Sequence, residues 1–205
     1  MRIAVAVLLV IGAGCHRSPG THPVPDLDRT VAVLVANNRT GDPLLVAGTS
    51  FVEKYALASS RVTVPDVLAA EARLQLARRG FTVVAPDVVD RATEGKTPGS
   101  AEAAAEIAAH GKLPGLALFL DIRRWEPDAP THPAFVIVGV TASLVDPATG
   151  RVTWTTDRPP APVPTPGEVV LGAAYITAAR KVTAELLAPL GPEKPLEVDH
   201  HWPRR

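Results

Sequence analysis

Asp146-Pro147-Ala148-Thr149-Gly150 dictates the direction of the chain on both sides of it. Asp146 suits the first position of a tight turn, Pro147 presets φ at the next, and Gly150 can take the positive φ that returns the chain to a ladder. Upstream, Val136, Val138, Val140, Ala142 and Leu144 alternate with Ile137, Gly139, Thr141 and Ser143. Downstream, Val152, Trp154 and Thr156 resume the alternation. A period of two on both sides of a turn predicts a half-buried antiparallel hairpin. With the apolar run after Gly115, the region 115–158 predicts three successive strands near 116–125, 134–145 and 151–157. This is scaffold chemistry rather than catalytic chemistry.

The remaining elements follow from equally local signals. Thr30–Ala36 is an apolar run of strand length that ends in the turn formers 37–43. Residues 44–61 predict nothing beyond a short helix near 50–58. Thr63 as cap, Pro65 in the first turn, basic residues in the last turn and Gly80 at the end predict a helix between them. Phe81–Ala85 predicts a strand, and Ser100 caps an Ala-rich helix, Ala101–His110, closed by Gly111. The proline-rich stretch 159–166 predicts a linker, and Thr165-Pro166-Gly167-Glu168 a capping box opening the last helix. Leu171, Ala174, Ala178, Val182 and Leu186 line one face of that helix, and Pro189 and Gly191 end it. The order β-α-β-α-β-β-β-α predicts an α/β (α+β) fold, a mixed five-stranded sheet with helices packed on it. Aromatic residues are 4% of the chain, so the core must come from Val, Leu, Ile and Ala.

The amino-terminus reads differently. Arg2 precedes the apolar run Ile3–Ile11, and Gly12-Ala13-Gly14 leads to Cys15, the single cysteine. The run is too short for a span, which needs about 20 apolar residues, and has the layout of a secretory signal. It resembles a bacterial lipoprotein signal, with Gly12 where an aliphatic residue is usual. That resemblance implies lipidation of Cys15 as the mature first residue, and His16 after it implies the outer membrane. Residues 1–14 are then the signal peptide, 15–29 a flexible tether, 30–190 the folded domain and 191–205 a disordered tail. With 21 basic and 21 acidic residues, no net field attracts nucleic acid.

No phosphate-cradling, dinucleotide, nucleophile-elbow or zinc-protease motif is present. None of the six histidines pairs with another at helical or strand spacing within a predicted element, and Asp199-His200-His201 falls in the tail. No catalytic residue, cofactor or metal site is expected. Two sets of carboxylates merit attention. Asp87, Asp90 and Glu94 follow a strand end, where α/β ligand sites gather. Asp121 and Glu126 flank Arg123, Arg124 and Trp125; regular alternation places Asp121, Arg123 and Trp125 on one face and Glu126 on the other.

Four segments carry a family resemblance. VAVLVANNRTGDP at 31–43, RRGFTVVAPDVVDRA at 78–92, GLALFLDIRRW at 115–125 and LVDPATGRVTW at 144–154 resemble, in this order, motifs of TolB-amino-terminal/CsgG-like domains. Such domains occur in small bacterial lipoproteins. The resemblance spans about residues 31 to 188 and implies an α/β domain held at the outer membrane, facing the periplasm, without catalysis. It transfers no functional residue other than Cys15. Pore-forming relatives need long membrane hairpins, for which 43–64 is too short. The expected role is thus a non-catalytic binding or assembly accessory that meets an envelope protein, with a homodimer through exposed sheet edges as a further expectation. The alternative is an envelope hydrolase or small-ligand-binding lipoprotein that uses Asp87, Asp90 or Asp121.

Overall fold

The computed structural model describes residues 29–46 and 62–193. Cys15, the tether, the segment 47–61 with its expected helix and the tail from 194 lie outside them. The strands are β1 Thr30–Val33, β2 Asn37–Asn38, β3 Thr82–Val83, β4 Leu116–Pro127, β5 Phe135–Asp146 and β6 Arg151–Pro164. The helices are α1 Val64–Arg78, α2 Pro86–Thr93, α3 Ala101–His110 and α4 Leu171–Leu187, the last followed by a 3-10 turn at Ala188–Leu190.

The strands form one mixed sheet in the order β3-β1-β4-β5-β6, with β2 also paired to β4. β1 pairs parallel with β3 and β4, whereas β4-β5 and β5-β6 are antiparallel. The α+β mixed-sheet expectation therefore holds, with two additions. Asn37–Asn38 pairs with Asp121–Ile122 and extends the sheet where the sequence suggests only a turn. The segment after β3 is the helix α2. Its only buried apolar side chain is Val89, so no apolar repeat announces it, although Pro86 in its first turn and the Asp87–Arg91 pair at 2.9 Å suit a helix.

Each face of the sheet has its own core. Val31, Val33, Leu116, Leu118, Leu120, Ile122, Val138, Val140 and Leu144 meet α1 and α4 on one face. Ala32, Leu34, Ala117, Phe119 and Val145 meet α2 and α3 on the other. The Ser100 hydroxyl accepts from the Ala103 N–H at 3.2 Å, capping α3 as expected. At the start of α1, the Asp66 carboxylate accepts from the Thr63 N–H and hydroxyl at 2.8 and 2.7 Å.

Two expectations near α4 need correction. Pro159–Pro164 is the end of β6 rather than a linker. β6 is the outermost strand, where a proline whose nitrogen faces away from the neighbour removes no ladder bond. Thr165-Pro166-Gly167-Glu168 is a turn with Gly167 at φ +81°, and α4 starts only at Leu171. Thr165 is buried because its hydroxyl donates to the Pro133 carbonyl at 2.8 Å and its N–H to Ala134 at 2.9 Å. It is spent on the sheet and cannot cap a helix.

The hairpin turn matches its chemistry. The Asp146 carboxylate accepts from the Thr149 hydroxyl at 2.8 Å and the Ala148 N–H at 2.9 Å, and Gly150 has φ +69°. These two bonds, Thr149 first, hold the Asp146 carboxyl below the usual carboxylate range. A lowered folded pKa contributes stability that is full above the unfolded value of about 3.9 and lost as pH falls through the folded value. Asp146→Asn is expected to lower stability at neutral pH and to make the loss of stability below about pH 4 less steep than in the wild type. Thermal unfolding followed from about pH 7 to about pH 2 checks this.

The two ends of the described domain meet at the carboxyl end of α1. Arg29 donates to the Arg79 carbonyl at 3.3 Å and lies 5.7 Å from the Phe81 ring centre. Arg79, with only 3% of its side chain exposed, donates to the Gln75 carbonyl at 3.0 Å and to Glu193 at 3.3 Å. The chain thus enters and leaves the domain at one pole. β4, β5 and β6 run from that pole to the opposite one, a distance of roughly 35 Å for a strand of this length.

Candidate functional site

Register across the three long strands decides which polar residues share a face. Asp121 pairs with Thr141, and Thr141 with Asp157, so these three form one row. The same face carries Ser143 and Thr155 one row nearer the anchored pole, linked hydroxyl to hydroxyl at 3.1 Å. α2 and α3 cover this face only over Ala117, Phe119 and Val145. From the Asp121 row outward, none of the four helices packs its core residues against it.

A β-bulge rearranges the segment the sequence singled out. Ile122 pairs with Val140, but Arg124 pairs with Gly139, leaving Arg123 as the extra residue. The alternation changes phase there. Trp125 pairs with Val138 and turns into the core, 2% exposed, with its ring edge-on to Tyr175 at 6.0 Å. Glu126 pairs with Ile137 and so lies on the face of Asp121. The expected arrangement is reversed: Asp121 shares its face with Glu126 and not with Trp125. Regular alternation across 121–126 predicts the wrong partner because nothing in the local sequence marks the bulge.

Sharing a face does not bring the acids together. Ile137 and Thr141, their register partners, are separated by roughly 13 Å along β5. Paired catalytic carboxylates of glycosidases are about 5 to 9.5 Å apart. Each acid also has its own partner. Asp121, with 12% of its side chain exposed, accepts from Asn37 Nδ2 at 2.8 Å and pairs with Arg39 at 3.3 Å. Glu126 pairs with Arg124 at 2.8 Å. Asp157 pairs closely with Arg123 and accepts from the Thr141 hydroxyl at 2.8 Å. Asn37, Arg39, Thr141 and Asp157 were not apparent as partners from sequence. The turn at 146–150 implies the approximate register of Thr141 with Asp157, but β2 and the bulge at Arg123 are tertiary facts.

The second set of acids lies elsewhere. Asp87 and Asp90 stand exposed on α2, with Asp87 bound to Arg91. Glu94 ends that helix at φ 54°. Lys96 at 2.7 Å, first by hydrogen bond and then by charge, holds the Glu94 carboxyl below its usual range, with His110 adding to it. A shallow groove of about 240 Å³ beside them, between α2 and α3, is lined by Ala92, Thr93, Lys96, Glu106, Ile107 and His110. Asp121 is not among its lining residues. No group of three or more His, Cys, Asp or Glu side chains able to hold a metal occurs among the described residues. Asp199, His200 and His201 lie outside them.

No protein-family model and no curated protein matches the sequence. Among solved structures, the PelC dodecamer from Paraburkholderia phytofirmans is similar at 18% identity, covering 83% of this chain and 94% of that one, with a TM-score of 0.47. The lipoprotein GNA1162 from Neisseria meningitidis is similar at 17% identity, covering 63% and 79%, with a TM-score of 0.44. LpoB from E. coli is similar at 15% identity, covering 80% and 84%, with a TM-score of 0.39. These are distant likenesses of chain path, and no residue role is drawn from them.

Proposed function

We propose that this chain is a lipid-anchored, non-catalytic binding or assembly accessory protein of the bacterial outer membrane, facing the periplasm. The observation that carries the reading is the run Ile3–Ile11 followed by Gly12-Ala13-Gly14-Cys15, with the proline-rich stretch 16–29 between that cysteine and β1. The TolB-amino-terminal/CsgG-like motifs agree with it in kind. The fold suits such an attachment. Cys15 precedes Arg29 in the chain, so a lipid there would tether the domain on the side of the Arg29, Arg79 and Glu193 pole. Among the described residues, no helix is long and apolar enough to cross a membrane.

The acids support binding over catalysis. Asp121, Glu126, Asp157 and Asp87 are each tied to an arginine, and the acids on the open face are spread along it rather than converging. A mixed-charge, hydrogen-bonded face of this kind suits contact with another protein of the envelope, a second copy included. No nucleic acid or cofactor enters the reading.

Metabolic labelling with palmitate tests the anchor directly. The wild type is expected to incorporate label and to fractionate with the outer membrane, whereas Cys15→Ala is expected to incorporate none and to fail to co-sediment with membranes. Label retained by Cys15→Ala would sink the anchor. Crosslinked envelopes that yield no reproducible protein partner would sink the accessory role.

A further inference from the structure

The outer end of β6, the last strand in the sheet order, carries four prolines between 159 and 164. In an antiparallel ladder, successive residues direct their N–H and C=O groups alternately toward the neighbouring strand and away from it. Thr165 N–H donates to the Ala134 carbonyl at 2.9 Å, so Thr165 points inward. Phe135 pairs with Pro164, Val136 with Val163, Ile137 with Pro162 and Val138 with Ala161. Val163 and Ala161 therefore also point inward, and Pro164 and Pro162 point outward. Pro159 and Pro160 occupy the bulge where Val138 pairs with Ala161 but Val140 with Arg158. From 159 to 164 the open edge thus carries no N–H donor. The one outward acceptor that is visibly engaged, the Pro164 carbonyl, accepts from Lys181 of α4 at 2.7 Å.

The other margins of the sheet are short or charged. β3 is two residues long and is followed by Pro86. β4 beyond its pairing with β2 is interrupted by the bulge that carries Arg123 and Arg124. Short edges, bulges, charge and proline are the devices by which sheets avoid pairing with one another.

We infer that Pro162 and Pro164 act as an edge block that stops a second copy of this chain from extending the sheet at the outer end of β6. Beyond Asp157, then, strand pairing between copies is closed off. On β5, Val140 and Ala142 continue the set that faces β6, which turns Arg158 and Thr156 inward and leaves Thr155 and Asp157 outward. Restoring donors at 162 and 164 would open the last part of that edge to pairing, beyond the bulge at Pro159 and Pro160.

The test is P162T/P164T, which returns two outward N–H groups at exposed positions with a strand-favouring residue. P166T, just beyond the strand, is the control for loss of a proline. Light scattering across a concentration series is expected to show P162T/P164T associating at concentrations roughly tenfold or more below any association of the wild type or P166T. Hydrogen exchange at residues 162 and 164 is expected to slow as concentration rises. A folded P162T/P164T with the wild-type dependence of mass on concentration overturns the inference. Should the double variant not fold, P162T alone, with one restored donor, decides by the same two readings.

Discussion

Gly115→Ala is expected to lower the free energy of unfolding by roughly 3–5 kcal/mol, the sum of backbone strain and overpacking. Gly115 has φ +68°, which an L side chain adopts only with strain. A Cβ built there would stand 2.2 Å from the Thr30 carbonyl oxygen and 2.7 Å from the Thr30 Cβ. Both atoms belong to the start of β1, so the clash cannot be relieved by swinging a flexible side chain. Either β1 or β4 must move, and their parallel pairing, Val31 with Leu116 to Val33 with Leu118, lies at the centre of the sheet. Urea unfolding of the two proteins checks the value. A loss under about 1 kcal/mol would mean that the strands adjust freely at this point.

Trp125→Ala is expected to cost about 3–5 kcal/mol, because the indole is fully packed between the sheet and α4 and its removal leaves a cavity. Trp125→Phe is expected to cost about 1 kcal/mol or less. Phenylalanine keeps an aromatic ring for the edge-on contact with Tyr175, and it removes an indole N–H that has no partner among the described residues. The pair of variants separates packing from hydrogen bonding. Equal losses in the two would show that the N–H is satisfied and that the indole is held by more than contact.

The elements legible from sequence were those whose signals are local. The Asp146–Gly150 turn, the Ser100 cap with its Ala-rich helix, and the helix between Thr63 and Gly80 all appear where the residues placed them. Each depends on bonds that close within a few positions. α2 escaped notice because it offers one buried apolar residue, Val89, and a helix that short shows no repeat. Proline density at 159–164 predicts a linker because prolines ordinarily mark linkers, whereas on an outermost strand every second N–H is idle and proline is tolerated. The capping-box motif at Thr165–Glu168 opens no helix for a related reason: Thr165 is engaged with Pro133 and Ala134 instead.

The candidate face was legible in part. Asp121, Arg123, Arg124 and Glu126 could be singled out by type, but their grouping could not be read, since one extra residue in β4 reverses the side on which everything after it lies. The sequence by itself determined the hairpin and the order of the main strands and helices, which rest on short-range chemistry. Only the tertiary structure decided that Trp125 belongs to the core, that Asp121 faces Asn37 and Arg39 across a strand pairing invisible in the sequence, and that the outer edge of β6 carries no donor. Each of those facts depends on which residue of a distant strand lies opposite, and that register is set by the whole sheet closing over its two cores.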